Sequence, residues 1–148
     1  MRINVRVLAA RASFAAMLAL PASGLAQTPA KPLAQELVGH WRLVSVDIGG
    51  AHPLGASPQG SMFFDAGGDY SIIVIGEGAS NGLSYFGTYK TDDSASAVTM
   101  HIQAGSRAGA AGRDEVRLVS FAGDLLTMKN QTPRHGPSAV TLTWKRAD

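Results

Sequence analysis

The stretch Gly60-Ser61-Met62-Phe63-Phe64-Asp65-Ala66-Gly67-Gly68-Asp69-Tyr70-Ser71-Ile72-Ile73-Val74-Ile75 decides how the chain is read. Two runs rich in β-branched and aromatic residues flank a short cluster of Asp, Ala and Gly. Side chains of the first kind suit a pleated strand. Asp and Gly supply the backbone geometry that turns one strand tightly back on the next. The stretch predicts a hairpin with strands over residues 60–65 and 69–75.

Working outward, the same pattern recurs. Runs of strand character cover residues 40–47, 84–91, 97–103, 114–121, 125–130 and 139–146, so the chain carries about eight. Each has an ordinary strand length. Only residues 33–38 read as helical, a turn or two opened by Pro32 and stopped by Gly39.

The links between the runs alternate in length. Those at 65–69 and 122–124 are tight, and Asp92-Asp93-Ser94 opens a third compact one. Those at 48–59, 76–83, 104–113 and 131–138 are long. In an up-and-down meander, alternate links lie at opposite ends of the sheet. All the long loops then crowd one end, which makes a cup with one mouth. Eight such strands can close on themselves and remove both sheet edges. The fold expected is therefore an all-β, eight-stranded antiparallel up-and-down barrel, in preference to a two-sheet sandwich. A barrel of this size is filled by its side chains or holds one small ligand.

The N-terminal residues stand apart. Arg2, Arg6 and Arg11 precede the apolar run Ser13-Phe14-Ala15-Ala16-Met17-Leu18-Ala19-Leu20, and small residues follow up to Gly24-Leu25-Ala26. This is the pattern of a cleaved export signal. The apolar run is too short for a membrane span, which needs roughly 20 residues. The expected organisation is a signal peptide over 1–26, a flexible leader over 27–32 and a barrel domain over 33–148, periplasmic or secreted.

Charge and composition then exclude several classes. The formal charge of +2 includes the three signal arginines; without them 10 basic residues face 11 acidic ones. The mature chain has no basic face for nucleic acid. It has no cysteine, hence no disulfide, no thiolate nucleophile and no lipid-anchoring cysteine. No Gly-x-Ser-x-Gly, His-Glu-x-x-His, phosphate loop or dinucleotide fingerprint occurs, so no catalytic residue and no cofactor is assigned. His52 and His135 fall in loops at the mouth without metal-ligand spacing, so no metal is assigned either.

Several short motifs resemble, in order, the bacterial and fungal lipocalin-like domain family, a calycin-type barrel. Leu37-Val38-Gly39-His40-Trp41-Arg42-Leu43-Val44-Ser45 resembles its opening strand with the Gly-x-Trp signature. Pro53-Leu54-Gly55 and Pro58-Gln59-Gly60 resemble the segment before its second strand. Phe86-Gly87-Thr88-Tyr89, Gly112-Arg113-Asp114-Glu115-Val116-Arg117, Gly123-Asp124-Leu125-Leu126-Thr127-Met128 and Leu142-Thr143-Trp144-Lys145-Arg146 resemble its later strands. One departure is the loop Gly105-Ser106-Arg107-Ala108-Gly109-Ala110-Ala111, where the family often carries Pro and Trp. The resemblance implies a barrel and no settled activity.

Strand order assigns candidate roles. Trp41 and Trp144 lie on neighbouring strands at the short-turn end and are expected to plug the floor. Arg146 resembles the lipocalin arginine that packs its guanidinium on the floor tryptophan. Arg117 and His101 lie near the mouth on adjacent strands; facing inward together, they would form a cationic spot for a carboxylate or phosphate. Alternation leaves the facing of Arg117 open, because Arg117-Val119-Phe121 competes with Val116-Leu118. Val98, Met100 and Ile102 make the better core face of their strand, which argues for an outward His101. Tyr85, Tyr89, Phe121 and Met128 complete the candidate ligand residues.

Three functions follow as expectations. The first is a carrier of a small hydrophobic molecule. The second is an isomerase, cyclase or hydrolase using the same cavity. The third is a filled barrel serving as an envelope interaction module.

Overall fold

In a computed structural model, residues 31–78, 82–130 and 139–147 are described. Residues 1–26, which the sequence pattern reads as an export signal, and the loop histidine His135 lie outside them. A short helix α1 (Leu33–Leu37) precedes eight strands. They are β1 (Gly39–Ile48), β2 (Gln59–Phe64), β3 (Asp69–Ile75), β4 (Gly82–Asp92), β5 (Ala97–Gly105), β6 (Asp114–Ala122), β7 (Leu125–Asn130) and β8 (Val140–Arg146). Each strand pairs with its sequence neighbour, and β1 pairs with β8, closing the barrel in the order β1 to β8. Every pairing is antiparallel. The expected barrel is the observed one, with strand ends differing by at most two residues.

The tight turns are made by the chemistry that predicts them. Asp65 accepts a hydrogen bond on Oδ1 from the amide of Asp69 (2.9 Å), and its own amide donates to the Asp69 carbonyl (3.0 Å). In the β4–β5 turn, Asp92 Oδ1 accepts from the Ser94 hydroxyl (2.6 Å) and the Ala95 amide (3.0 Å). Those donors hold its carboxyl below the usual carboxylate range. The neighbouring Asp93 accepts from the amide of Leu33 (3.3 Å), which ties α1 to the short-turn end.

Alternation along each strand divides the barrel into an inside and an outside. Met62 and Phe64 on β2, Tyr70, Ile72 and Val74 on β3, and Val98, Met100 and Ile102 on β5 are all buried. Their sequence neighbours Phe63, Ser71, Ile73, Thr99 and His101 are more exposed. Among the described residues no helix is long and apolar enough to cross a membrane. Much of the outer wall is polar, with Arg42, Lys90, Gln103, Ser120, Lys129 and Lys145 exposed.

The floor joins the first and last strands. Trp41 and Trp144 are fully buried. The Trp41 indole N–H donates to the Leu37 carbonyl (2.8 Å), so α1 is bonded directly to the plug. The Arg146 guanidinium lies 4.1 Å from the Trp41 ring centroid. It also donates to the carbonyls of Val38 (3.0 Å) and Glu36 (2.6 Å), two groups the end of a short helix leaves without partners. Gly39 has a positive φ of 132°, and a Cβ there would stand 2.8 Å from Arg146 Nη1. The glycine of the Gly39-His40-Trp41 segment thus makes room for the arginine that covers the tryptophan.

Candidate functional site

The question the sequence leaves open is which face of β6 looks inward. In the structure Val119 is buried and Leu118 is exposed. Arg117 therefore shares the inner face with Val119 and Phe121, and so does Glu115. The ladder agrees: Arg117 stands between Val98 on β5, which is fully buried, and Asn130 on β7.

Arg117 does not stand as a lone cation. Its Nη2 donates to Glu115 Oε2, and the two side chains are only 12% and 14% exposed. The pair lies at the start of β6, just after the long link from β5, and so in the mouth half of the barrel. Tyr85 approaches from β4, near enough that Glu115 and Arg117 both act on its hydroxyl. Tyr70 packs edge-on against Tyr85, with ring centroids 6.1 Å apart, and stacks on Phe64 at 6.1 Å. The Tyr70 hydroxyl is buried and, like Asn130 Oδ1, has no hydrogen-bond partner among the described residues.

The electrostatics follow from burial. Desolvation pushes the hydroxyls of Tyr70 and Tyr85 above the ordinary tyrosine value. Glu115 raises both further, and Arg117 partly opposes it. Burial also raises Tyr89. The chain has three tyrosines, and all three are shifted the same way. A group held protonated in the fold but free to ionise when unfolded contributes nothing below its unfolded pKa and costs stability above it. The barrel is thus expected to lose stability as pH rises past about 10, the unfolded tyrosine value. The loss continues until the native hydroxyls ionise. Tyrosinate absorbance and far-UV circular dichroism should then change together in an alkaline titration. Tyrosinate appearing at pH 10 with the β signal intact would contradict it.

The candidate ligand residues separate into three groups. Arg117 and Tyr85 meet in the polar cluster. Tyr89, Phe121 and Met128 pack away from that cluster, against the core and the turns. The Tyr89 hydroxyl donates to the Asp65 carbonyl (2.7 Å) and its ring meets Phe64 edge-on at 4.8 Å. Phe121 lies 6.0 Å from the Trp41 ring. Met128 is buried between Val119 and Leu142 in the ladder.

His101 is the correction. It stands on the outer wall, with its side chain 49% exposed, and its Nδ1 meets Asp114 Oδ1 at 2.7 Å. The apolar Val98, Met100 and Ile102 claim the inside, so the joint cationic spot with Arg117 does not form. Three residues absent from that candidate set stand around Arg117 instead: Glu115, Tyr70 and Asn130. Glu115 is legible once Arg117 is known to face inward, since residues two apart share a face. Tyr70 and Asn130 needed the register.

Part of the inner face is only partly buried. Leu43, Leu83, Tyr85 and Leu142 lie against the buried core and remain partly exposed. Among the described residues no three His, Cys, Asp or Glu side chains converge as a metal site would require. No family model and no curated protein matches this chain.

Proposed function

We propose that the protein is an exported lipocalin-like carrier that binds one small, largely hydrophobic molecule in the mouth half of its barrel. The observation that carries this reading is the inner face at that end. Leu83, Tyr85, Glu115, Arg117 and Leu142 at that end are only partly buried, although Val46, Val74 and Ile102 beside them are buried, and Trp41 and Trp144 of the floor are fully so. Apolar walls with a few converging polar groups are the usual composition of a small-molecule site. Export rests on the sequence pattern of residues 1–26.

Native mass spectrometry of the protein purified from the envelope of its own host tests both parts. The expected result is a chain beginning at Gln27, with an added mass that leaves on denaturation. A clean apo mass, with no uptake from a panel of apolar metabolites, sinks the carrier reading. A chain retaining residues 1–26 sinks export.

A second reading, an interaction module, has one observation in its favour. Phe63, Ile73 and Phe86 on β2, β3 and β4 are 49%, 49% and 52% exposed on the outer wall. The ladder places Phe63 and Phe86 on either side of Ser71, and Ile73 is the next outward residue. The His40 ring stacks on Phe63 at 4.1 Å. Contiguous apolar surface of this kind is uncommon without a partner. This reading expects Phe63→Ser with Phe86→Ser to abolish self-association or partner capture and to leave any retained small molecule in place.

A further inference from the structure

We propose that the lumen site selects a neutral, largely apolar molecule carrying one acceptor oxygen, such as a ketone, ester or amide, which takes a hydrogen bond from Tyr70 beside the Glu115–Arg117 pair. The inference rests on the carrier reading and names its ligand class.

The first support is an unmet bond. Tyr70 is 4% exposed, and its hydroxyl has no partner among the described residues. A buried hydroxyl left without a partner is a net cost to the fold, and native structures keep few of them. The burial pattern of β3 turns Tyr70 to the same side as Ile72 and Val74, into the lumen. An oxygen delivered by a ligand would supply the missing acceptor.

The second support is the charge already present. Arg117 is engaged by Glu115, so a ligand carboxylate would compete with an existing carboxylate in a poorly solvated place. The field at Tyr70 has the same sense, because Glu115 and Asp114 both act against its ionisation and Arg117 alone acts for it. A ligand ammonium is drawn by the carboxylates, but it must break the Glu115–Arg117 bond to reach Glu115 and must give up its own hydration in the same poorly solvated place. A neutral oxygen adds no charge to either side and still uses the donor.

The third support is the rest of the wall. Leu43, Leu83 and Leu142 are partly buried against the core, an apolar surround that suits a hydrocarbon or aromatic body. The cluster thus reads as one polar anchor at the inner end of an apolar slot.

The test compares three probes of equal chain length, 2-decanone, decanoate and decylamine, titrated into the purified mature protein at pH 7 and followed by amide NMR. The ketone is expected to bind about tenfold tighter than either ion. Tyr70→Phe should weaken the ketone about five- to tenfold, the loss of roughly one hydrogen bond. Because it removes an unpaired buried group, it should also leave the Tm unchanged or raise it. His101→Ala, on the outer wall, should change neither. Tightest binding by decanoate or decylamine overturns the inference. So does a Tyr70→Phe variant that binds the ketone as the parent does, or one that melts lower. If none of the three probes binds, and none of the panel above is taken up, the carrier reading itself fails.

Discussion

Trp41→Ala is expected to destabilise the barrel by about 3–5 kcal/mol, the usual cost of emptying a buried tryptophan site. The residue is fully buried, and it links three parts of the floor. Its N–H ends α1 at Leu37, its ring carries the Arg146 guanidinium, and Phe121 packs on it from β6. The space left behind cannot collapse easily, because the closed ladder holds β1 between β2 and β8. Arg146→Ala should lose about 2–3 kcal/mol, since it removes the cation–π contact and leaves the carbonyls of Val38 and Glu36 without their donor. Arg146→Lys should recover only part of that, because one ammonium cannot stack and bridge two carbonyls as a planar guanidinium does. The two losses should not add: Trp41→Ala with Arg146→Ala should cost measurably less than their sum, since both remove the same contact. Urea denaturation of the four proteins measures this, and strict additivity would show that the pair does not act as one plug.

Gly87→Ala is the second large effect. β4 carries a register shift between Phe86 and Gly87, where it pairs with β5. At this bulge a Cβ on Gly87 would stand 1.8 Å from the His101 carbonyl oxygen and 2.9 Å from the Gln103 amide nitrogen. Both are backbone atoms of the adjacent strand, so no rotamer change relieves the clash. The two strands must separate, and ladder bonds on both sides are lost. A loss of about 3 kcal/mol or more is expected, at or above the upper end for overpacking a core. A stable domain commonly holds only about 5–15 kcal/mol in total, so the variant should express poorly or melt far below the parent. Thermal melts decide it. A Gly87→Ala protein within a few degrees of the parent would mean the bulge relaxes at little cost.

The strands themselves were legible because their signals are local. β-branched and aromatic runs, Asp and Gly at the compact turns, and the alternation of short with long links all sit within a few neighbouring residues. Closure followed from the same pattern, since eight meandering strands leave two edges that are best removed by pairing β1 with β8. The floor was legible for a related reason: Trp41, Trp144 and Arg146 lie at the ends of the first and last strands, and closure alone brings those ends together.

The site was less legible. Alternation says that Arg117 and Leu118 face opposite ways, but not which of them faces in. Both faces of β6 carry apolar residues, so the local pattern ties. Packing breaks the tie: Phe121 lies against Trp41, Val119 is buried opposite Met128, and Arg117 is carried inward with them. On β5 the outcome is opposite, because Val98, Met100 and Ile102 leave His101 no place inside.

From the sequence alone come the fold class, the strand order, the turn positions, the floor residues and the expectation of export, because each depends on neighbours along the chain or on closure. Only the tertiary structure decided that Arg117 meets Glu115, that Tyr85 and Tyr70 join them, that the Tyr70 hydroxyl has no partner among the described residues, and that Gly87 admits no side chain. Those facts depend on the register between strands and on the two places where it slips, at Leu43–Ser45 and Phe86–Gly87. Register is settled by the packing of the whole barrel, and no single strand contains it.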